Sequence, residues 1–291
     1  MSSLPVQKKI HYTLRLAVVM CFVGHGTFGI ITKPVWCNYF AVFGIGHDMA
    51  YRLMPVVGSF DILMGILMLV YPMRAIPVWL VIWGFVTALL RPLSGEPLAE
   101  LIERAGNFGA PLILLILSGG PDKNLKNIFV PINANVDPDD KTSARILVGL
   151  RIIVFLLLAG HGWLNMIEKK SLLNQYTSLG FLNTGKTALT VGIFEIIAAF
   201  FVLIHPIRSI VFAIFIWKMT SELFYPHYEL FEWIERGGSY GVLLALWFVL
   251  NRRPASVALR RTKPSTAPAY RRDQLSIRNL QNLHQRVLTT A

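Results

Sequence analysis

The sequence predicts an all-α integral membrane protein: eight transmembrane helices, arranged as two parallel-repeat four-helix bundles. Three observations predict it. Hydrophobic residues make up 54% of the 291 and charged residues 15%, with a mean hydropathy of +0.53, whereas a soluble domain carries about 25% charged residues. Several apolar runs approach the roughly 20 residues that a bilayer crossing requires. Finally, LRLAVVMCFVGHG at 14–26 returns as LRIIVFLLLAGHG at 150–162. Both strings place Gly-His-Gly after an Arg and eight apolar or small residues.

The elements follow in order. A first helix is expected at 12–31. A mixed stretch at 32–52, with Pro34, Trp36, Tyr39 and Phe40, has the aromatic density of a membrane–water interface. A second helix at 53–71 contains Asp61, and Pro72-Met73-Arg74 makes a tight connection to a third at 75–90. Arg91-Pro92 and Ser94-Gly95 mark a break. The fourth, 97–118, begins amphipathically and is stopped by Gly119-Gly120-Pro121. The cycle then repeats at 144–167, 187–203, 207–224 and 229–250. No run alternates with period two, so helices are expected rather than barrel strands.

These elements define four regions. Residues 1–120 and 144–251 are four-helix units, 121–143 is a polar cytoplasmic linker, and 252–291 is a basic tail expected to be disordered. The units match throughout. His25 aligns with His161, Asp61 with Glu195, Arg74 with Arg208, Trp83 with Trp217, and Glu103-Arg104 with Glu235-Arg236. Their separations drift only from 136 to 132 residues. An even number of spans per unit makes the repeats parallel.

Residues 251–291 carry nine Lys/Arg and one acidic residue, most of the +12 net charge. The basic balance therefore belongs to the tail and indicates contact with membrane lipid, not nucleic acid. Counting Lys and Arg across the loops places both termini in the cytoplasm, and the membrane is expected to be a bacterial inner membrane. The chain has two cysteines, Cys21 and Cys37, too few for a disulfide framework or a metal cluster. It has no phosphate loop, Ser-His-Asp arrangement, zinc pattern or dinucleotide fingerprint.

The candidate site residues are the polar groups that fall within or at the mouth of the spans. His25 lies about 15 Å beyond Arg15 at 1.5 Å per residue. Asp61 lies roughly 12 Å below the outer start of its helix. Glu103 and Arg104 stand at the outer mouth. The second unit repeats the set as His161, Glu195, Glu235 and Arg236, and adds Lys218 and Glu222 where the first has Gly84 and Ala88. An ionisable group in a span costs about 2.5–3.5 kcal/mol at the helix centre, so a group kept in both copies needs a reason. One reason is structural, with Asp61 paired to His25 or to Arg104. The other is a ligand or proton site. No Cys or second His lies at ligand spacing in either helix, which argues against heme or metal. His227 and Tyr228 are expected at the outer interface. Gly106 with Gly109, and Gly238 with Gly241, are expected at close helix contacts.

The order of elements resembles the DoxX/DoxD-like family of four-helix membrane proteins. The resemblance rests on Arg15 and its apolar helix, on Gly58-x-x-Asp61 and Gly192-x-x-Glu195, and on Arg74 or Arg208 at the end of the second helix. It covers about 105 residues of each unit. Two units are fused here, and Gly-His-Gly departs from the family's first helix. The resemblance implies a membrane component of a quinone-linked redox system, with quinone as cofactor and a soluble or peripheral redox partner. A histidine would hydrogen-bond a quinone carbonyl and Asp61 or Glu195 would exchange the proton. A small-molecule carrier and a membrane scaffold for a partner enzyme are the alternatives.

Overall fold

The computed structural model describes residues 4–120, 125–135, 137–223 and 229–251. The regular elements among the described residues are helices, with one isolated bridge between Met73 and Pro131. The first half contains α1 (Val6–Ile30), α2 (Trp36–Ala41), α3 (His47–Val70), α4 (Ala75–Leu93), α5 (Ala99–Glu103) and α6 (Ala105–Leu117). A 3-10 turn at Leu125–Phe129 lies in the connection. The second half contains α7 (Asp140–Met166), α8 (Lys170–Ser178), α9 (Thr184–Ile204), α10 (Arg208–Leu223), α11 (Glu229–Glu235) and α12 (Gly237–Val249). The tail, His227 and Tyr228 lie outside the described residues.

Five helices, α1, α3, α4, α7 and α9, are long and apolar enough to cross a membrane. The expected fourth and eighth segments are each broken in two. Arg104 (ψ 13°) and Arg236 (ψ 8°) leave helical geometry between α5 and α6 and between α11 and α12. That leaves α6 and α12 at 13 residues each, about 20 Å at 1.5 Å per residue. The second segment starts earlier than expected, at His47, because Gly46 ends the preceding turn in an extended conformation. Asp139 and Asn183 cap α7 and α9, accepting from the backbone N–H of Thr142 at 2.8 Å and of Lys186 at 3.0 Å.

At the centre, α1, α6, α7 and α12 share one core that includes Leu14, Val18, Leu114, Leu150, Leu158 and Leu246. Around it α3 packs on α1, α9 on α7, α4 on α6 and α10 on α12. Outer faces of α3 and α9 are apolar and exposed, with Val56, Leu63 and Val70 on one and Ile193, Ile197 and Ile204 on the other. A water-soluble monomer rarely leaves such continuous apolar area uncovered, whereas lipid covers it at no cost. The helices thus have the make-up of a multi-pass membrane protein.

Glycines set the closest approaches. Gly26 and Gly29 lie against Gly58, Gly162 lies against Gly192, and Gly106 meets Gly238 across the centre. Arginines close the far ends of two helices. Arg15 donates to the carbonyl oxygens of Met68, at 2.8 Å, and Leu69. Arg151 donates to those of Leu203 and, at 2.9 Å, Ile204. These are terminal carbonyls that no helical N–H can reach.

Candidate functional site

The first site is built from three helices. From α1, His25 Nδ1 lies 2.8 Å from Asp61 Oδ2 on α3. From α4, the Trp83 indole donates to Asp61 Oδ1 at 2.7 Å. Asp61 is fully buried, and both of its oxygens have partners. When Asp61 is ionised it only accepts, which sets the imidazole proton on Nδ1 and turns Nε2 away from the carboxylate. Trp36, on α2, lies over the His25 ring with centroids 4.7 Å apart. A cavity of about 90 Å³ opens here, lined by His25, Trp36, Tyr39, Trp83, Asn107 and Glu235 among others.

The second site repeats the plan with more charge. His161 Nδ1 pairs with Glu195 Oε2, and the Trp217 indole donates to Glu195 Oε1 at 3.4 Å. His161 Nε2 faces Glu222 Oε1 at 3.7 Å. The Lys218 ammonium lies between the two carboxylates, 2.7 Å from Glu222 and 3.5 Å from Glu195. Arg236 Nε approaches Glu222 Oε2 at 3.0 Å. The side-chain amide of Asn165 donates to the His161 carbonyl at 3.1 Å, and the Tyr176 hydroxyl donates to Asn165 at 2.6 Å. A cavity of about 230 Å³ lies beside this cluster, lined by His161, Tyr176, Glu195, Trp217 and Glu222 among others. Among the described residues no group of three His, Cys, Asp or Glu side chains is placed to hold a metal ion.

The Glu-Arg dipeptides correct an expectation. Each half was expected to gather its own His, carboxylate and Glu-Arg pair, with Asp61–Arg104 as one possible pairing. Asp61 instead takes His25 and Trp83, and the dipeptides divide. Arg104 stays in its own half and lines the His25 cavity, while Glu103 packs against α7 and accepts from Arg236 at 2.8 Å. In the other half Arg236 stays beside Glu222, while Glu235 packs against Gly24 of α1 and lines the His25 cavity. Glu103 still pairs with its neighbour Arg104 at 3.1 Å, so what divides is the second partner of each residue: Arg236 for Glu103, Glu100 for Arg104.

No family model matches this chain, and neither does a curated protein or a solved structure. What the site can do is therefore read from its own groups.

Several of its residues escaped the sequence reading. Lys33 pairs with Glu232 at 2.5 Å, and Lys169 pairs with Glu100. Both bonds run between the halves, and both lysines and both glutamates sit at matching positions, 136 and 132 residues apart. Glu100 has no exposed surface and also binds Arg104 at 2.5 Å and Arg91 at 3.4 Å. A larger cavity of about 540 Å³ lies among these groups and shares Trp36, Arg91, Arg104 and Glu235 with the His25 cavity. Tyr39 lines the His25 cavity and donates at 2.6 Å to Glu96, which lines the larger one. Burial pushes its phenol above the ordinary value, against the pull of Arg91. Trp83 and Trp217 were aligned but not assigned; their shared 134-residue offset with Asp61 and Glu195 was the available signal.

Proposed function

We propose that the chain crosses a bacterial inner membrane eight times as two DoxX-like units in parallel repeat, with both termini cytoplasmic, and contributes a quinone-binding, proton-exchanging site to a quinone-linked redox system. One observation carries the functional reading: a buried carboxylate held between an imidazole and an indole, beside a partly aromatic cavity. It is formed as His25–Asp61–Trp83 and again as His161–Glu195–Trp217. In this reading the carboxylate holds the proton on Nδ1, and Nε2 gives or takes a proton at a quinone oxygen. Electrons pass to or from a soluble or peripheral partner.

The eight crossings are supported by the five long apolar helices, by α10, whose 16 residues run about 24 Å at 1.5 Å per residue, and by the continuation of α5 into α6 and of α11 into α12, which gives each pair the reach that its longer helix lacks. The repeat is supported by matching contacts: Gly26 to Gly58 with Gly162 to Gly192, and Gly24 to Glu235 with Gly160 to Glu103. Thr32 and Glu168, the non-glycine residues with positive φ among the described residues, end the two histidine helices 136 residues apart at 54° and 55°.

Size constrains the ligand. A buried space of about 150 Å³ holds benzene, so the first cavity, at about 90 Å³, accommodates a quinone ring only together with the adjoining larger space. The test is mass spectrometry of the detergent-extracted chain. A lipid quinone is expected to co-purify and to be lost from His25→Ala. A chain that carries none, and binds no added short-chain quinone, rules the reading out. A carrier for a polar small molecule is the second reading, favoured by the larger cavity and its charged rim. Counterflow in liposomes without any redox partner would support it.

A further inference from the structure

Glu103 and Glu235 hold the same position in the two halves and are used differently. Glu103 is fixed by bonds, accepting from Arg236 at 2.8 Å and from Arg104 at 3.1 Å. Glu235 is 8% exposed, and among the described residues its carboxylate makes no direct hydrogen bond or ion pair. It is held instead by groups that act on it across a gap. These are His25 on α1, Lys33 in the connection after α1, Arg91 near the end of α4, and Arg104 between α5 and α6. The Cys21 thiol, also on α1, is a further titratable group near it. Both arginines are bonded elsewhere, Arg104 to Glu100 and Glu103 and Arg91 to Glu96 and Glu100.

Among the described residues, Glu235 is the carboxylate that lines both the His25 cavity and the larger one. The larger cavity is bounded by Lys33, Pro97, Lys169 and Glu232, at the end of the bundle where α1 and α7 finish. Arg15 and Arg151 close the opposite end. Toward that end Leu14, Val18, Phe22, Leu114 and Leu246 fill the core with apolar side chains. The two cavities, about 90 and about 540 Å³, each exceed the roughly 10–15 Å³ that one water needs, and both have polar walls. A polar way out of the His25 site thus runs past Glu235. The His161 cavity is lined by Glu222 and not by Glu103.

We infer that Glu235, contributed by the second half, is the proton acceptor that links His25 to water at the end of the bundle where α1 meets α2. This deepens the quinone reading and rests on it for the source of the proton. With Nδ1 held by Asp61, a proton taken from a hydroquinone hydroxyl sits on His25 Nε2. It passes through cavity water to the Glu235 carboxylate, and the imidazole returns to its neutral form. The carboxylic acid then gives the proton to water in the larger cavity and becomes a carboxylate again. Proton uptake runs the same steps in reverse. The relay belongs to the first half alone, because its bonds to two arginines deny Glu103 the same part.

The experiment is a stopped-flow pH jump on the full chain in detergent, without quinone, read by tryptophan fluorescence. The Trp36 ring lies over His25 with centroids 4.7 Å apart, and a protonated imidazole quenches a neighbouring indole. The His25 phase is the one that His25→Gln and Trp36→Phe each remove. Glu235→Gln is expected to slow this phase at least about tenfold, and added formate, a small soluble proton carrier, should restore it. Glu235→Asp keeps the carboxylate one methylene further back and should slow it by a smaller factor. An unchanged rate in Glu235→Gln overturns the relay and leaves the quinone reading, which co-purification decides. A slowed rate that formate does not restore also overturns the relay, since the substitution then acts through the fold. Where Glu235→Gln fails to fold, Glu235→Asp decides by the same two criteria. Absence of any His25 phase in the unaltered chain overturns the relay and the proton exchange at His25 together.

Discussion

Gly160 lies directly against the backbone of Glu103. A Cβ on Gly160 would come within 2.7 Å of the Glu103 Cα and 2.8 Å of the Ile102 carbonyl carbon. Gly24 stands in the same relation to Glu235. Because the obstacle is backbone, no rotamer change relieves it. Gly24→Ala and Gly160→Ala are each expected to lose about 1–3 kcal/mol, the usual cost of overpacking, read as a lower melting temperature in detergent. Gly46→Ala, at a position with nothing within 4 Å, should change it far less.

Trp83 and Trp217 are expected to differ in weight. The Trp83 indole bonds a fully buried carboxylate at 2.7 Å, whereas the Trp217 bond is 3.4 Å long and Glu195 also faces Lys218. Trp83→Phe should therefore cost about 1–3 kcal/mol, the penalty of stranding a buried acceptor. Trp217→Phe should cost less than Trp83→Phe in the same unfolding assay.

Lys218 is almost wholly buried between Glu195 and Glu222. Removing one partner of a buried pair costs about 3–5 kcal/mol, because the other charge is left uncompensated. Lys218→Met is expected to show this loss in thermal unfolding, and Lys218→Met/Glu222→Gln to recover part of it. A double variant no more stable than the single one would count against the pairing.

The bonds between the halves allow a charge exchange. Lys33→Glu and Glu232→Lys should each lower the melting temperature, and the combined variant should restore most of it. The Lys33 side chain is 28% exposed, so the pair is worth about 1 kcal/mol at most and should weaken as salt is raised.

The cap on α7 gives a pH dependence with a definite sign. The side-chain and backbone hydrogen bonds of Asp139 with Thr142 hold its carboxyl below the ordinary value. A depressed pKa stabilises the folded form above the unfolded value of about 3.9, and that stabilisation is lost as pH falls through the lower folded value. Protection of the Thr142 amide from hydrogen exchange should follow this course, and Asp139→Ala should abolish the dependence.

Much of the site was legible in the sequence because the chain states it twice. Pairing His25 with Asp61 needed only helices of the right length and a buried carboxylate in each copy. The division of Glu103 from Arg104 was not legible. Alignment shows that Glu103 and Glu235 are equivalent, but equivalence is silent on whether each glutamate serves its own half or the other. The break at Arg104 was also hidden, since an amphipathic helical pattern runs through it and no proline stands at that position. Lys33, Lys169, Glu100 and Glu232 were legible only as matched positions; their bonds depend on which helices meet.

The crossing of Glu235 to α1 has a consequence for biosynthesis. Lys33 and Glu232 are 199 residues apart in the chain, and at roughly 5–20 residues per second the ribosome takes about 10–40 s to cover that distance. For that interval the first helix is in place while one wall of its own cavity is still unmade. A chain that stops before α11 would lack Glu232 and Glu235, and with them the partner of Lys33 and one wall of the His25 cavity.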